Sequence, residues 1–353
     1  MKRILVTGAG GPAGINFIKA VRLAPERIHI VGSDVNRWHL ELPSIDRAYL
    51  LPPASSPRYI KKLNELIRTE KIEFVHCQPD AEVEVVSENR EKVKASTFLP
   101  SKKAIRICHD KFKTYEILME NNVPVPETFL IDDQSTISSG LSRLLKSGDV
   151  AWLRAARGAG SRASLPVRSE SLAREWINYW RNTRSVGSSH FIISEFLPGK
   201  DFAFQSVWKD GKLVTSQARV RLEYLFGNLT ASGQTSSPSV AMTVHQNSVN
   251  KTATQAILSV DEKPNGVFCV DLKENKHGVP CVTEINAGRF FTTSDFYAHL
   301  GCNMPWILVR LAYGEKISRM RKYNAVPEEV YWIRIMDGGS ILKKEGEFKA
   351  RRI

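Results

Sequence analysis

The feature that most constrains this chain is a glycine-rich turn that follows a short apolar segment near the N-terminus. Residues 4–6 (Ile-Leu-Val) predict a buried strand, and residues 7–14 (Thr-Gly-Ala-Gly-Gly-Pro-Ala-Gly) come next. A helix is predicted over residues 15–23, followed by a second strand over residues 28–31 that leads to Asp34. This order of strand, glycine turn, helix, strand and acidic residue is typical of the opening of a Rossmann-like unit. The N-terminal part is therefore predicted to be α/β.

The composition sets bounds on the class of protein. The 353 residues exceed a typical single domain, and roughly 150 residues per domain predicts two or three domains. A formal net charge of +13 makes acidic small molecules, nucleotides and nucleic acid plausible partners. The five cysteines include no CxxC pair, which favours neither a zinc site nor a disulfide framework. Because no apolar run is long enough for a signal peptide or a membrane span, we expect a cytoplasmic protein without membrane contact.

Two strands joined by a short loop are predicted in the second half of the chain. Residues 267–272 and 281–286 have the composition of strands. Residues 273–280 contain Asn, Gly and Pro and are predicted to form the loop between them. Val282 and Ile285 are expected to share the face that packs on the core. The opposite face is then available to polar side chains.

Three oxygen-bearing side chains are predicted to meet on these two strands. Glu284 and Asn286 stand two residues apart and so share a strand face. Pairing of the strands would bring Asp271 close to both. Such hard oxygen ligands suit Mg²⁺ that is shared with phosphate oxygens, and Arg289 would add a fixed positive charge. The alternative is that these side chains form the solvated face of an ordinary strand.

Further segments are suited to binding anions. Residues 157–164 (Arg-Gly-Ala-Gly-Ser-Arg-Ala-Ser) predict a flexible loop whose backbone N–H groups and guanidinium groups suit phosphate, although a plain hairpin tip is the alternative. Residues 110–111 (Asp-Lys) open a predicted helix. Arg219 and Arg221 alternate onto one strand face, and residues 227–239 form a polar loop long enough to cover a site.

The order of these motifs resembles the ATP-grasp superfamily, specifically its carbamoyl-phosphate-synthase-like and carboxylate–amine ligase branch. The resemblance extends from residue 1 to about residue 315, nearly the whole chain. It implies an α/β protein in which an N-terminal Rossmann-like pre-ATP-grasp domain is followed by a two-subdomain ATP-grasp α+β fold. The expected parts are the pre-ATP-grasp domain (1–100), the small subdomain with the glycine-rich phosphate loop (101–190), the subdomain with the metal site (191–315), and a C-terminal edge strand with a basic tail (316–353).

The resemblance also implies which residues bind the nucleotide. The phosphates are expected to meet a lysine, two arginines and the glycine-rich loop, namely Lys111, Arg154, Gly158, Gly160, Ser161 and Arg162. The adenine edge is expected to meet the segment between the two subdomains, namely Glu195, Phe196 and Leu197. Asp201 stands where an acid usually binds the ribose hydroxyls.

The metal and reaction centres are implied in the same way. Asp271, Glu284 and Asn286 resemble the magnesium ligands, and Arg289 resembles the arginine beside the reacting phosphate, with Arg221 as a second catalytic cation. The chain departs from the family pattern at two positions. Arg154 stands where the family usually has lysine, and Gln205 where an acid is common. Arginine still pairs with phosphate, but with a different reach and geometry.

The activity implied by the resemblance is an ATP- and Mg²⁺-dependent ligase that joins a small carboxylic acid to an amine through an acyl phosphate. A nucleotide-binding protein without ligase activity stays open because of Arg154. A nicotinamide-dependent reductase or epimerase also stays open, because the glycine spacing in residues 7–14 matches extended short-chain dehydrogenases. Those enzymes use a tyrosine followed four residues later by lysine, and none of the 9 tyrosines is followed in this way. Nucleic-acid binding is disfavoured because no known module is recognisable, and a homodimer is compatible with the family.

Overall fold

The computed structural model describes residues 1–132, 134–146, 148–158, 163–183, 190–235, 237–335 and 339–344. Its N-terminal part contains a parallel sheet with the strand order β3-β2-β1-β4-β5. The strands are β1 (Arg3–Thr7), β2 (His29–Asp34), β3 (Arg47–Leu50), β4 (Phe74–Cys77) and β5 (Ser96–Thr97). The helices between them are α1 (Pro12–Arg22), α2 (Tyr59–Glu70) and α3 (Asp80–Glu88), with a 3₁₀ turn at His39–Glu41. Parallel strands joined by helices form the predicted α/β unit.

A small antiparallel sheet follows, with the strand order β6-β9-β7-β8 in the described part of the chain. Two helices, α4 (Lys102–Cys108) and α5 (Lys111–Glu120), precede it. Its strands are β6 (Thr128–Ile131), β7 (Ala151–Ala155), β8 (Leu165–Val167) and β9 (Phe191–Glu195). Its helices α6 (Gln134–Leu144) and α7 (Glu170–Thr183) pack on the sheet around a separate apolar core.

A larger antiparallel sheet carries most of the candidate site, with the strand order β14-β13-β10-β11-β12-β15-β16 among the described residues. The strands are β10 (Asp201–Lys209), β11 (Lys212–Tyr224), β12 (Pro238–Val244), β13 (Gly266–Glu274), β14 (Pro280–Ala287), β15 (Val330–Ile335) and β16 (Gly339–Lys344). The helices are α8 (Asn247–Val260), α9 (Asp295–His299) and α10 (Met304–Ala312), with a 3₁₀ turn at Gly227–Leu229. The predicted domain bounds stay a prediction.

The two faces of this sheet pack against different parts of the chain. Helix α8 packs on β10 and β13, and α4 and α5 pack on β14. Helix α10 packs on β10, and α1 of the N-terminal part contacts both α9 and α10. The N-terminal part is therefore anchored on helices that follow β14 in the chain. None of the described helices is long and apolar enough to cross a membrane.

The predicted strand pair 267–272 and 281–286 is present as β13 and β14, but with a bulge. Asp271 pairs with Glu284 while Leu272 pairs with Val282, so Thr283 is an extra residue in β14. Strict alternation would put Val282 on the face of Glu284. The extra residue reverses the phase, and Val282 is buried in the same apolar core as Ile285. The expected grouping of these side chains is therefore correct, and the bulge is its cause.

The C-terminal strand differs from its prediction. Strand β15 pairs with β12 on one side and with β16 on the other, so it is an interior strand and β16 forms the edge. The expectation of an edge strand at residues 331–335 was wrong, because part of the predicted basic tail continues the sheet. Residues 345–353 lie outside the described residues.

Candidate active site

A single cavity of about 740 Å³ lies where the three sheets meet. It is lined by residues that follow β4 of the parallel sheet, by β7 of the small sheet, and by β10, β11, β13 and β14 of the large sheet. Every nucleotide, metal and reaction-centre residue implied by the resemblance that the structure describes lines it, namely Lys111, Arg154, Gly158, Glu195, Phe196, Leu197, Asp201, Arg221, Asp271, Glu284, Asn286 and Arg289. Arg219 is buried and does not line it. Gly160, Ser161 and Arg162 lie outside the described residues.

The three predicted metal ligands are neighbours on β13 and β14. Asp271 and Glu284 are directly opposite each other in the ladder, and Asn286 lies two pairs further along, on the same strand face as Glu284. The Asn286 amide nitrogen donates to Asp271 Oδ2 at 3.0 Å. Burial raises the pKa of the Asp271 carboxyl, and the Glu284 carboxylate acts in the same direction against the opposing charge of Arg221. The set therefore concentrates negative charge in a partly enclosed space.

Arg221 on β11 connects the two acidic positions of neighbouring strands. One of its nitrogens donates to Asp201 Oδ1 at 2.7 Å, and another donates to Asp271 Oδ1. Tyr224 also donates its hydroxyl to Asp201. Although burial disfavours the charge of Arg221, the two carboxylates raise its pKa well above the ordinary value. Arg221 is thus a permanently charged group held in a fixed orientation.

Arg289 connects the metal-ligand set to the N-terminal part. Its guanidinium makes a two-point ion pair with Asp80 at the first turn of α3, with Nη2 donating to Oδ2 at 3.0 Å. The same nitrogen donates to Asn286 Oδ1. Burial opposes ionisation of Asp80, but the charge of Arg289 outweighs it and lowers the pKa of the carboxyl. The arginine is therefore oriented by a carboxylate that lies 209 positions earlier in the chain and by a neighbouring amide.

Lys111 and Arg154 form the basic wall of the cavity. Lys111 Nζ donates to the carbonyl oxygen of Gly158 at 2.7 Å and lies 3.7 Å from Glu284 Oε1. Arg154 Nη2 donates at 2.8 Å to the carbonyl oxygen of Thr283, the extra residue of the bulge. Burial lowers the pKa of both cations, and Glu284 opposes that effect. Both side chains are positioned by backbone oxygens and keep donors for an anion.

Flat side chains lie at the other end of the cavity. The rings of Trp152 and Phe196 have centroids 6.2 Å apart, and Lys273 Nζ lies 5.9 Å from the Phe196 centroid. Trp152 alternates with Arg154 on β7, and Lys273 alternates with Asp271 on β13. Sequence reasoning missed Trp152 and Lys273 as site residues, although this alternation was a signal that could have found them.

The N-terminal glycine turn is occupied by the protein's own residues. Gly8 has φ of +61°, and a Cβ there would overlap with the ring of Pro79. A Cβ at Gly10 would overlap with His39, and the Gly10 backbone nitrogen donates to Asp34 Oδ2 at 3.2 Å. The close approach that a glycine turn offers to a dinucleotide is here used for internal packing. This packing disfavours the nicotinamide-dependent alternative.

Two of three comparisons with known proteins find matches to this chain. The sequence model of the ATP-grasp domain family matches residues 108–293. A comparison with curated protein sequences finds no match. Among solved structures, carboxyaminoimidazole ribonucleotide synthase from Aspergillus clavatus complexed with ATP is similar with a TM-score of 0.71 and 14% identity, over 94% of this chain and 81% of that chain.

Two other structures illustrate the same similarity. L-amino acid ligase from Bacillus licheniformis has a TM-score of 0.68 and 14% identity, over 94% of this chain and 79% of that one. A complex of biotin carboxylase from Campylobacter jejuni with a β,γ-ATP compound has a TM-score of 0.69 and 13% identity, over 94% and 74% of the two chains. These likenesses confirm the predicted fold class. Because the family match covers more than half of the 353 residues, the chain belongs to the ATP-grasp family.

Proposed function

We propose that this protein is an ATP- and Mg²⁺-dependent ligase that joins a small carboxylic acid to an amine and releases ADP and phosphate. The observation that carries the proposal is the charge pattern of one cavity. Asp271, Glu284 and Asn286 line it beside the basic wall of Lys111 and Arg154, with Lys111 Nζ 3.7 Å from Glu284 Oε1. Oxygen ligands for a hard cation beside donors for phosphate are what a magnesium–nucleotide complex requires.

The residues present fit magnesium bound together with phosphate. No group of three or more His, Cys, Asp or Glu side chains suited to a metal comes together in the described part of the chain. The proposed ligands are thus two carboxylates and one amide oxygen, from Asp271, Glu284 and Asn286. Magnesium prefers six oxygen ligands and commonly takes some from substrate phosphates and water. Bound there, it would supply positive charge next to the transferring phosphoryl group.

The nucleotide would lie across the cavity from its aromatic end to its basic wall. Trp152 and Phe196 would cover the adenine, and Asp201 would accept from the ribose hydroxyls once its present partners rearrange. Lys111 and Arg154 would donate to the phosphates, together with the glycine-rich loop predicted from the sequence over residues 157–164. These roles follow from positions within one cavity and from the donor and acceptor capacity of each group.

A carboxylate is a poor acyl donor because its leaving group would be oxide. Transfer of the γ-phosphoryl group to a carboxylate oxygen forms an acyl phosphate, and attack by an amine then expels phosphate. Arg289 and Arg221 would stabilise the charge on the transferring group by fixed donors, which need little reorganisation during the reaction. The enclosing walls would limit hydrolysis of the acyl phosphate by excluding water.

The test is Mg²⁺-dependent ADP release from ATP in the presence of carboxylic acids (acetate, succinate, bicarbonate and the amino acids) and amines (ammonia and the amino acids). Glu284→Gln removes one proposed ligand charge and keeps the side-chain shape. Glu262→Gln, at an exposed position after α8, is the matched control. We expect release that requires both an acid and an amine, is unchanged in Glu262→Gln, and falls at least 100-fold in Glu284→Gln.

Two outcomes would contradict the proposal. If ATP binds by calorimetry but no mixture releases ADP above the Glu284→Gln background, the protein binds nucleotide without ligase activity. If release requires an acid but is indifferent to every amine, the reaction is phosphorylation of the acid and no ligation takes place.

A further inference from the structure

Gln78 is a buried side chain of the cavity wall that none of the proposed steps uses. It follows β4 directly, lines the cavity and is 4% exposed. Its amide oxygen accepts from the backbone nitrogen of Phe290 at 3.1 Å and lies 3.0 Å from His76 Nε2. Its amide nitrogen is buried and has no hydrogen-bond partner. Each such donor left without an acceptor costs stability unless a ligand satisfies it.

The orientation of this amide is fixed by its neighbours. A backbone N–H can only donate, so the atom facing Phe290 must be the amide oxygen of Gln78. His76 is fully enclosed, with its ring stacked on Phe17 at 4.0 Å between centroids. Burial lowers the pKa of His76 to about 4, so at neutral pH the ring carries one N–H. This N–H must be on Nε2, because the Gln78 amide oxygen that faces Nε2 can only accept. The amide cannot rotate by 180° without placing its NH₂ group against the Phe290 N–H donor.

The amide of this cavity-lining residue therefore has an unused donor and no unused acceptor. A group bound there must supply an acceptor oxygen, as a carboxylate or carbonyl does and an ammonium group does not. The other residues that follow β4 already have partners near this position, since Asp80 is paired with Arg289. The groups proposed to bind the nucleotide come from the two antiparallel sheets and the helices beside them, whereas Gln78 comes from the parallel sheet. An acceptor oxygen for Gln78 would then come from the second substrate.

We propose that the Gln78 amide binds a carboxylate oxygen of the acid substrate and positions it for phosphorylation. Gln78 would hold one carboxylate oxygen while the other faces the phosphoryl group. Phe290 and His76 act only through Gln78, by fixing its amide. This inference rests on the proposed ligase function and adds the residue that selects a carboxylate.

The experiment uses the full-length protein and the acid that gives the fastest ADP release among acetate, succinate, bicarbonate and the amino acids. Gln78→Glu keeps an acceptor for the Phe290 N–H and turns a negative oxygen toward the substrate. Gln78→Met keeps the length and removes every polar atom. Gln255→Glu, at an exposed position on α8, is the control for the change from amide to carboxylate. The KM for the acid and the KM for ATP are measured for each variant.

Which of the two Gln78 variants has the larger KM for the acid distinguishes substrate binding from a structural role. If Gln78 contacts the carboxylate, Gln78→Glu adds repulsion, and we expect its KM for the acid to rise about 100-fold, against about 10-fold for Gln78→Met. The KM for ATP should stay within about twofold of the parent value. If Gln78 only supports Phe290 and His76, Gln78→Met should be the more damaging change, because it loses both accepting interactions.

Each contrary outcome has a definite meaning. An acid KM unchanged in both variants overturns the inference and leaves the ligase function standing, as does a larger effect in Gln78→Met. Parent protein that shows no acid-dependent ADP release refutes the ligase function and the inference together. If Gln78→Glu and the control Gln255→Glu raise the KM for the acid equally, the effect is a general effect of charge, and the inference is refuted.

Discussion

Glu82 is predicted to destabilise the folded protein at alkaline pH. It lies in the first turn of α3, is 6% exposed, and has one carboxyl oxygen without a hydrogen-bond partner. Burial, reinforced by the nearby charge of Asp34 and opposed by the hydroxyls of Thr7 and Tyr59, raises the pKa of Glu82 to about 7. The Glu82 side chain does not line the cavity. Its role is confined to the core of the N-terminal part.

The sign and size of the effect follow from this pKa. The ordinary value for glutamate is 4.5, so between pH 4.5 and about 7 the folded protein binds a proton that the unfolded chain releases. Stability therefore falls as pH rises through this range and stays low above it. Moving the pKa from 4.5 to about 7 corresponds to about 3 kcal/mol. Glu82→Gln imitates the neutral carboxyl and should recover most of that free energy at pH 8, and much less at pH 5.

Urea unfolding at pH 5 and pH 8 measures the difference. The expected free energy of unfolding is about 2 to 3 kcal/mol higher for Glu82→Gln than for the parent at pH 8, and less than about 1 kcal/mol higher at pH 5. Glu116→Gln, at an exposed position on α5, should change neither value. A Glu82→Gln variant with the same effect at both pH values would refute the argument, because the ionised carboxyl would not then be the source of the cost.

Two further changes test the packing of the fold and the charge pairing of the site. Gly8→Ala should destabilise the protein by at least about 2 kcal/mol, because the new Cβ overlaps with the ring of Pro79 and the backbone is strained at φ of +61°. Gly278→Ala is the control: its φ is +73° but the space around it is open, so it should cost only about 1 kcal/mol. Equal losses in thermal or urea unfolding would show that the overlap relaxes freely. Arg221→Met should cost about 3 kcal/mol at pH 8 because it leaves Asp201 and Asp271 without their shared counter-charge. The cost should be smaller at pH 5, because burial raises the pKa of Asp271 and favours its neutral form. A loss that does not depend on pH would show that the ion pairs do not stabilise the fold.

The strand pair with the acidic ligands shows how far sequence patterns reach. The turn residues between 273 and 280 and the apolar residues on either side predicted β13 and β14 correctly. The bulge at Thr283 has no sequence signal in this chain, because Thr is common in regular strands. It is nevertheless the bulge that puts Val282 in the core and gives Arg154 a carbonyl oxygen to bind. Local patterns predicted the strands, and the register required the structure.

Contacts between distant segments were the least accessible to sequence reasoning. The pairing of Asp80 with Arg289 depends on how the N-terminal part packs on α9 and α10. The amide of Gln78 is oriented by the backbone nitrogen of Phe290, which lies 212 positions away in the sequence. A spacing along the chain carries no information about such pairs. Strand β16 was missed for a related reason, since its residues add a strand only because β15 offers an edge.

The arginine partners of the acidic site residues have a consequence for the order in which ligands enter. Asp201 and Asp271 share Arg221, and Asn286 is already bound by Arg289, so these side chains already have partners within the protein. A free divalent cation would have to separate a carboxylate from its arginine and leave the guanidinium uncompensated in an enclosed space. A nucleotide that arrives with its metal would avoid this cost, because its phosphates would pair with the arginine that the carboxylates release. The two ligands would then enter together, as one exchange of partners.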